Sequence, residues 1–190
     1  FQELRQLLTD WGEPAYRARQ IWQRLYQRPV ASIDEMTELS KPLRQKLMAE
    51  TVLGRLTHLV EQKSSNGETR KILFTLPDGA QIEAVLMGYE RRHTTCISTQ
   101  AGCGMNCSFC ATGQGGLQRN LTAGEIVEQV LYFARQLARP VAQDLTNIVF
   151  MGMGEPFANY AAFMDAVRRL NDPTGFNFGA RRMTVSTVGL

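Results

Sequence analysis

Apolar positions recur at helical spacing through the first third of the chain, give way to strand-like runs, and then alternate between the two. Ile21, Trp22, Leu25 and Tyr26 fall on one face of a predicted helix, and Pro14 sits where a first-turn proline belongs. Ser40, with Pro42 two positions on, opens another helix carrying Leu43, Leu47 and Met48. Residues 1–60 therefore read as a small helical module. The polar stretch 61–67 breaks the pattern. Arg70–Leu76 and Gln81–Leu86 are then β-type runs joined by Pro77-Asp78-Gly79, a strong turn signal, so residues 61–93 are expected to form a β-hairpin linker.

From Thr94 onward the order is strand, loop, helix, repeated. Thr94–Thr99 is a short β-branched run, followed by a Gly- and Cys-rich loop from Ala101 to Gly116. Thr122-Ala123-Gly124-Glu125 has the form of a capping box, opening a helix with Ile126, Val127, Val130, Leu131, Ala134 and Leu137 on one face. Asn147–Met151 reads as an apolar strand and Gly152–Pro156 as a loop. Asn159 is expected to cap a helix bearing Phe163, Val167 and Leu170, and Met183–Val188 is the next strand. Alternating β and α elements with near-continuous apolar strands imply an α/β fold with a parallel sheet or barrel. Three strands and two helices over residues 94–190 make that sheet unfinished.

The chain has 190 residues, 44% hydrophobic and 21% charged, enough to bury a core without staples. No run of 18 apolar residues encodes a membrane span. The start, Phe1-Gln2-Glu3-Leu4-Arg5, lacks the order of a signal peptide and an initiator Met, so a trimmed or fragmentary chain is expected. A net charge of +3 does not by itself argue for nucleic acid. Of the 21 basic residues 17 are Arg, which suits bidentate phosphate contacts, although a base-composition bias gives the same count.

All four cysteines, Cys96, Cys103, Cys107 and Cys110, fall within 15 residues, whereas a disulfide framework spreads its cysteines. In the reducing cytosol expected of a chain without a signal peptide, clustered thiols point to a metal or redox site. In Cys103-Gly-Met-Asn-Cys107-Ser-Phe-Cys110, three thiolates at spacings of four and three residues can wrap one face of a cubic iron–sulfur cluster. Three ligands leave one iron open to bind substrate. Zinc is the competing reading, with Cys96 as a fourth ligand and His58 and His93 the only histidines. The two separated ligand pairs usual for structural zinc are missing.

The C-x-x-x-C-x-x-C loop after a first β-strand resembles the radical S-adenosylmethionine (SAM) superfamily. The wider stretch from Cys96 to Gly113, together with Phe150-Met-Gly-Met-Gly-Glu-Pro156, is similar to the RlmN/Cfr family of RNA adenosine methyltransferases. The likeness covers all 190 residues. It implies a partial radical-SAM (β/α) barrel preceded by an RNA-contacting helical domain and the hairpin. It also implies a [4Fe-4S] cluster held by Cys103, Cys107 and Cys110, with SAM chelating the open iron. Phe109 would pack near the adenine, and Gly154 and Glu155 would form a SAM-binding loop whose carboxylate receives the amino group of methionine. Ser186 would be another SAM contact, though from the pattern alone it reads as an incidental strand serine.

Glu83 matches the family's general base, although by pattern it is only a polar-face residue between Ile82 and Ala84. Cys96 matches the cysteine that attacks the methylated one and releases product through a transient disulfide; its ordinary reading is a small core residue. The implied reaction is methylation at C2 of an adenosine in 23S rRNA, and in tRNA, with flavodoxin or ferredoxin as electron donor, by a cytoplasmic monomer without membrane attachment. The family's methyl-carrying cysteine lies beyond residue 190, so this chain alone is expected to be inactive. RNA contact is expected through Arg17, Arg19, Arg24 and Arg28 near Trp22 and Tyr26, or else these form a solvated Arg face over an ordinary core. Three alternatives remain at this point: a Cfr-type C8 methyltransferase, another radical SAM enzyme such as an activating enzyme or methylthiotransferase, and a non-catalytic zinc or RNA-binding module.

Overall fold

Three helices build the N-terminal module, α1 (Gln2–Asp10), α2 (Tyr16–Tyr26) and α3 (Lys41–Glu50), with a 3-10 turn at Ile33–Glu35. The computed structural model describes residues 1–138 and 144–190. Leu8, Ala18, Ile21, Val30, Ile33, Met36, Leu39, Leu43 and Leu47 close into a core of their own. Helix α3 starts as its sequence predicts, with Ser40 Oγ accepting the Leu43 N–H at 3.4 Å and Pro42 in the first turn. Pro14 does not stand in the first turn of α2. It precedes the helix, and its carbonyl accepts the Arg17 N–H.

Trp22 and Tyr26 turn inward onto the main core, at 6% and 8% exposure, so neither offers a face for an unstacked base. Arg17, Arg24 and Arg44 donate to the carbonyls of Glu38, Glu35 and Asp34 respectively, knotting one surface segment by its backbone. Two of the four arginines expected at RNA thus hold protein carbonyls, while Arg19 and Arg28 remain exposed.

The hairpin expectation needs enlarging. Thr57–Lys63 is a strand, β1, which the sequence pattern divides between the helical module and the polar breaker. It pairs antiparallel with β2 (Thr69–Thr75), which pairs with β3 (Gln81–Tyr89), which pairs with β4 (Arg92–Cys96). As an edge strand exposed on both faces, β1 has no apolar alternation to betray it. Two further strands, β7 (Asn147–Phe150) and β8 (Met183–Val185), add in parallel, giving one six-stranded sheet ordered β1-β2-β3-β4-β7-β8. Helices α5 (Ala123–Leu137) and α6 (Tyr160–Asn171) provide the crossovers that parallel strands require. The expected β, α, β alternation is present, and the hairpin is continuous with it.

One face of the sheet buries Ile72, Phe74, Ile82, Ala84, Ile148 and Phe150 against Ile126, Val130 and Phe133 of α5 and Phe163 and Leu170 of α6. Each of these Ile, Val, Leu and Phe side chains contributes about 1.5–3 kcal/mol by leaving water. The capping box of α5 is complete: Thr122 Oγ1 accepts the Glu125 N–H at 3.2 Å, and Glu125 Oε2 accepts the Thr122 N–H at 2.8 Å. Asn159 precedes α6 without capping it. Its Nδ2 donates instead to the carbonyls of Thr99 and Leu121, each at 2.8 Å, because those buried acceptors have stronger need of a partner than a solvated helix end. Glu128 of α5 accepts the N–H groups of Arg55 and Leu56, tying the N-terminal module to the sheet layer. Among the described residues no helix is long and apolar enough to cross a membrane.

The opposite face is half-buried, and register defines it. Val85 stands opposite Cys96, Cys96 opposite Val149, and Val149 opposite Thr184, so four strands share one row. Strand alternation places Glu83 and Ser186, two residues from Val85 and Thr184, on that same face.

Candidate active site

The cysteine loop is pinched at its base. Strands β5 (Gln100–Gly102) and β6 (Leu117–Asn120) pair antiparallel at its two ends, and the Cys103 N–H donates to Gly116 O at 2.9 Å. Gly102 has φ +76°, and a Cβ there would overlap the Gly116 carbonyl oxygen, so this neck requires glycine. Within the loop the Cys110 N–H donates to Cys107 O at 3.0 Å, and Cys110 leads into a short helix, α4 (Ala111–Gln114). Hydrogen bonds from the Gly113 and Thr112 amides and the Thr112 hydroxyl hold the Cys110 thiol below the ordinary cysteine pKa against a slight opposing effect of burial. All four thiols are free, Cys103 buried and the others half-buried. Phe109 is 91% exposed.

Among the described residues no three His, Cys, Asp or Glu side chains are gathered to hold a metal ion. The chemistry of the donor set fits an iron–sulfur cluster nonetheless. Residues 101–116 contain three thiols and no His, Asp or Glu, and soft thiolates are what such clusters take.

The second loop leaves the end of β7 beside the first. The Gly152 N–H donates to Ile97 O at 3.1 Å, and a Cβ on Gly152 would stand 2.7 Å from Ser98 Oγ. Gly154, at φ +98°, lies so close to Gln100 that a Cβ would stand 2.5 Å from the Gln100 Cβ. Both glycines are therefore demanded by close approach. Gln100 joins the two loops: its Nε2 donates to Asn120 Oδ1 at 2.7 Å in the neck, and its Oε1 accepts the Glu155 N–H at 2.8 Å.

Glu155 is only 3% exposed. Its carboxylate accepts from the Phe157 N–H (2.9 Å), Thr187 Oγ1 (2.7 Å) and the Val188 N–H (2.9 Å). Burial works to raise its pKa, but these donors outweigh it and hold the carboxyl below its ordinary value. The carboxylate expected to receive a methionine ammonium is thus engaged by the chain's own donors here.

Glu83 and Cys96 stand on the half-buried sheet face, Glu83 paired with Lys71 Nζ at 2.9 Å. Burial pushes the Cys96 thiol up, with the Met151 N–H acting in the other direction. Ser186 is exposed, just past the end of β8, its N–H donating to Phe150 O at 3.3 Å. The structure thus brings Glu83, Cys96 and Ser186 to one face, with both loops at the C-terminal ends of β4 and β7, where open α/β sheets bind ligands. Sequence reasoning missed the residues that lock this end together. Gln129 bonds both backbone groups of Ser98, accepting at 2.8 Å and donating at 3.0 Å, and Ser98, Gln100 and Asn159 complete the set. The polar run Ser98-Thr99-Gln100, between a β-branched strand and the Gly- and Cys-rich loop, is the signal available for them.

Residues 1–53 match the ribosomal RNA large subunit methyltransferase N-terminal domain, and residues 97–190 match the radical SAM superfamily. A probable dual-specificity RNA methyltransferase RlmN of Chloroflexus aurantiacus is 55% identical over 99% of this chain and 51% of its own length. One from Staphylococcus epidermidis is 48% identical over 100% of this chain and 52% of its own. A crystal structure of a radical SAM methyltransferase from Sphaerobacter thermophilus superposes with a TM-score of 0.95 at 53% identity, covering 100% of this chain and 55% of that one. The chain spans about half the length of the curated relatives it matches. With both segments matched, in order, and the cysteine and Gly-Met-Gly-Glu-Pro loops set side by side, the chain belongs to the RlmN family of the radical SAM superfamily.

Proposed function

We propose that the native polypeptide containing this chain is a cytoplasmic radical SAM methyltransferase that methylates C2 of an adenosine in 23S rRNA and in tRNA through a methylated cysteine. The observation that carries this reading is the sulfur-only loop, closed at its neck beside the Gly-Met-Gly-Glu-Pro loop. Cys103, Cys107 and Cys110 would hold a [4Fe-4S] cluster. When bound with SAM, that cluster supplies one-electron cleavage of the sulfonium and hence a carbon radical, which an electron-poor adenine carbon needs because it cannot attack a methyl group by displacement.

The chain's own groups do the rest. Gly154, Glu155 and Ser186 would hold SAM, Glu155 offering a carboxylate to a cationic amino group, and the exposed Phe109 would offer an aromatic face to the adenine. Glu83 takes the proton from the adduct, its carboxylate held beside the Lys71 ammonium at 2.9 Å. Cys96 must lose its proton before attacking the methylated cysteine, since the thiolate is the nucleophile. Flavodoxin or ferredoxin supplies the electron.

Anaerobic reconstitution tests this. The parent should turn brown with about four irons per chain, and Cys107→Ala should not assemble the cluster. Colourless protein with stoichiometric zinc would refute the cluster reading. Mass spectrometry of the RNA product from the full-length polypeptide would then read C2 against C8.

A further inference from the structure

Gly152-Met153-Gly154 fills a fork in the sheet. Strand β3 stays in register with β4 only as far as Val85 opposite Cys96. Past that point β4 leaves, and the backbone groups of Glu83 on that side lose their ladder partners. Buried polar groups demand replacements, and two side chains provide them. Ser98 Oγ, fully buried, donates to Glu83 O at 2.6 Å and accepts the Met153 N–H at 2.8 Å. Met153 Sδ accepts the Glu83 N–H at 3.3 Å. The Met153 carbonyl accepts in turn from the Thr99 and Gln100 N–H groups, at 2.9 and 3.2 Å. Glycine on either side of Met153 lets it seat this deeply, since a Cβ at position 152 would strike Ser98 and one at position 154 would strike Gln100.

The Glu83 N–H is therefore fastened directly to the loop that precedes Glu155, and its carbonyl is tied to the same loop through Ser98. We propose that Ser98 and Met153 are positioning residues for Glu83, making the Gly-Met-Gly-Glu-Pro loop a ligament that sets the carboxylate's place relative to bound cofactor. This rests on the reading of Glu83 as the base.

The test uses the full-length, cluster-loaded polypeptide with Ser98→Ala, Met153→Leu and Glu83→Gln. Glu83→Gln should abolish turnover. Ser98→Ala should lower kcat by about tenfold or more, because small misplacements of a reacting group are costly, while KM for RNA and iron content hold. Hydrogen exchange at the Glu83 amide should quicken by about tenfold in Met153→Leu, which keeps the volume but removes the acceptor. If Ser98→Ala fails to fold, the Met153→Leu kcat and exchange decide in its place. Full kcat in Ser98→Ala or Met153→Leu alongside a dead Glu83→Gln overturns the positioning role and leaves the base intact. A loss of iron or a rise in KM accompanying the fall in kcat is general damage and also overturns it. Full turnover by Glu83→Gln overturns the base assignment itself.

Discussion

Removing the Glu155 carboxylate strands three donors. In Glu155→Ala the Phe157 N–H, the Thr187 hydroxyl and the Val188 N–H lose an acceptor held within 2.9 Å. Hydrogen bonds to a charged group contribute roughly 1.5–3 kcal/mol each. Phe157, Thr187 and Val188 are exposed enough for water to repair part of the loss, so about 1 kcal/mol apiece, or about 3 kcal/mol in all, is expected. With a urea slope of about 2 kcal/mol per molar, the unfolding midpoint should fall by about 1.5 M. Glu155→Gln keeps one acceptor oxygen and should lose about half as much.

The two variants also separate charge from shape. Because the folded-state pKa lies below the ordinary value of 4.5, this stabilisation is fully present above 4.5 and is lost as the pH falls through the lower native value. The gap between parent and Glu155→Gln should be wide at pH 7 and narrow in acid. Equilibrium urea unfolding across that range measures it. A Glu155→Ala midpoint within about 0.2 M of the parent, or a gap that widens in acid, would refute the view that this carboxylate is an ionised staple.

Two further outcomes are expected. In cluster-free protein at pH 7, iodoacetamide should alkylate Cys110 well before Cys96, because the loop amides lower one thiol and burial raises the other; equal rates by peptide mass spectrometry would contradict this. Arg119 forks onto Glu125 at 2.9 and 3.0 Å and also pairs with Asp78 in the β2–β3 turn, so Arg119→Met should leave a buried carboxylate with only its cap. A loss of about 2 kcal/mol, or roughly 4–8 °C in Tm, is expected, and an unchanged melting curve would count against the clamp.

The helices were legible wherever a stop or start signal coincided with an apolar stripe, as at Thr122 and Ser40. Strand β1 was not, because Thr-His-Leu-Val-Glu-Gln-Lys lies on an exposed edge and has no buried face to impose a period. The inward turn of Trp22 and Tyr26 was legible only as one of two alternatives, because an aromatic among arginines reads as a stacking platform or as core until its neighbours in space are known. The cysteine loop could be read because its chemistry is carried by local spacing. The staple on Glu155 depends on partners 32 and 33 residues away, and the tie between Ser98 and Met153 spans 55, so nothing local announces either.

A loop drawn shut by the Gly102–Gly116 contact need not wait for iron to become a loop. Joining the ends of a segment of roughly 13 residues costs on the order of 2 kcal/mol in chain entropy. Backbone pairing settles that cost within the protein fold. Iron reaching the loop would then meet a segment whose two ends are already fixed, with only the three sulfur atoms between them left to gather. The apo chain should hold its architecture and stay receptive, unlike small zinc domains that collapse only around their ion.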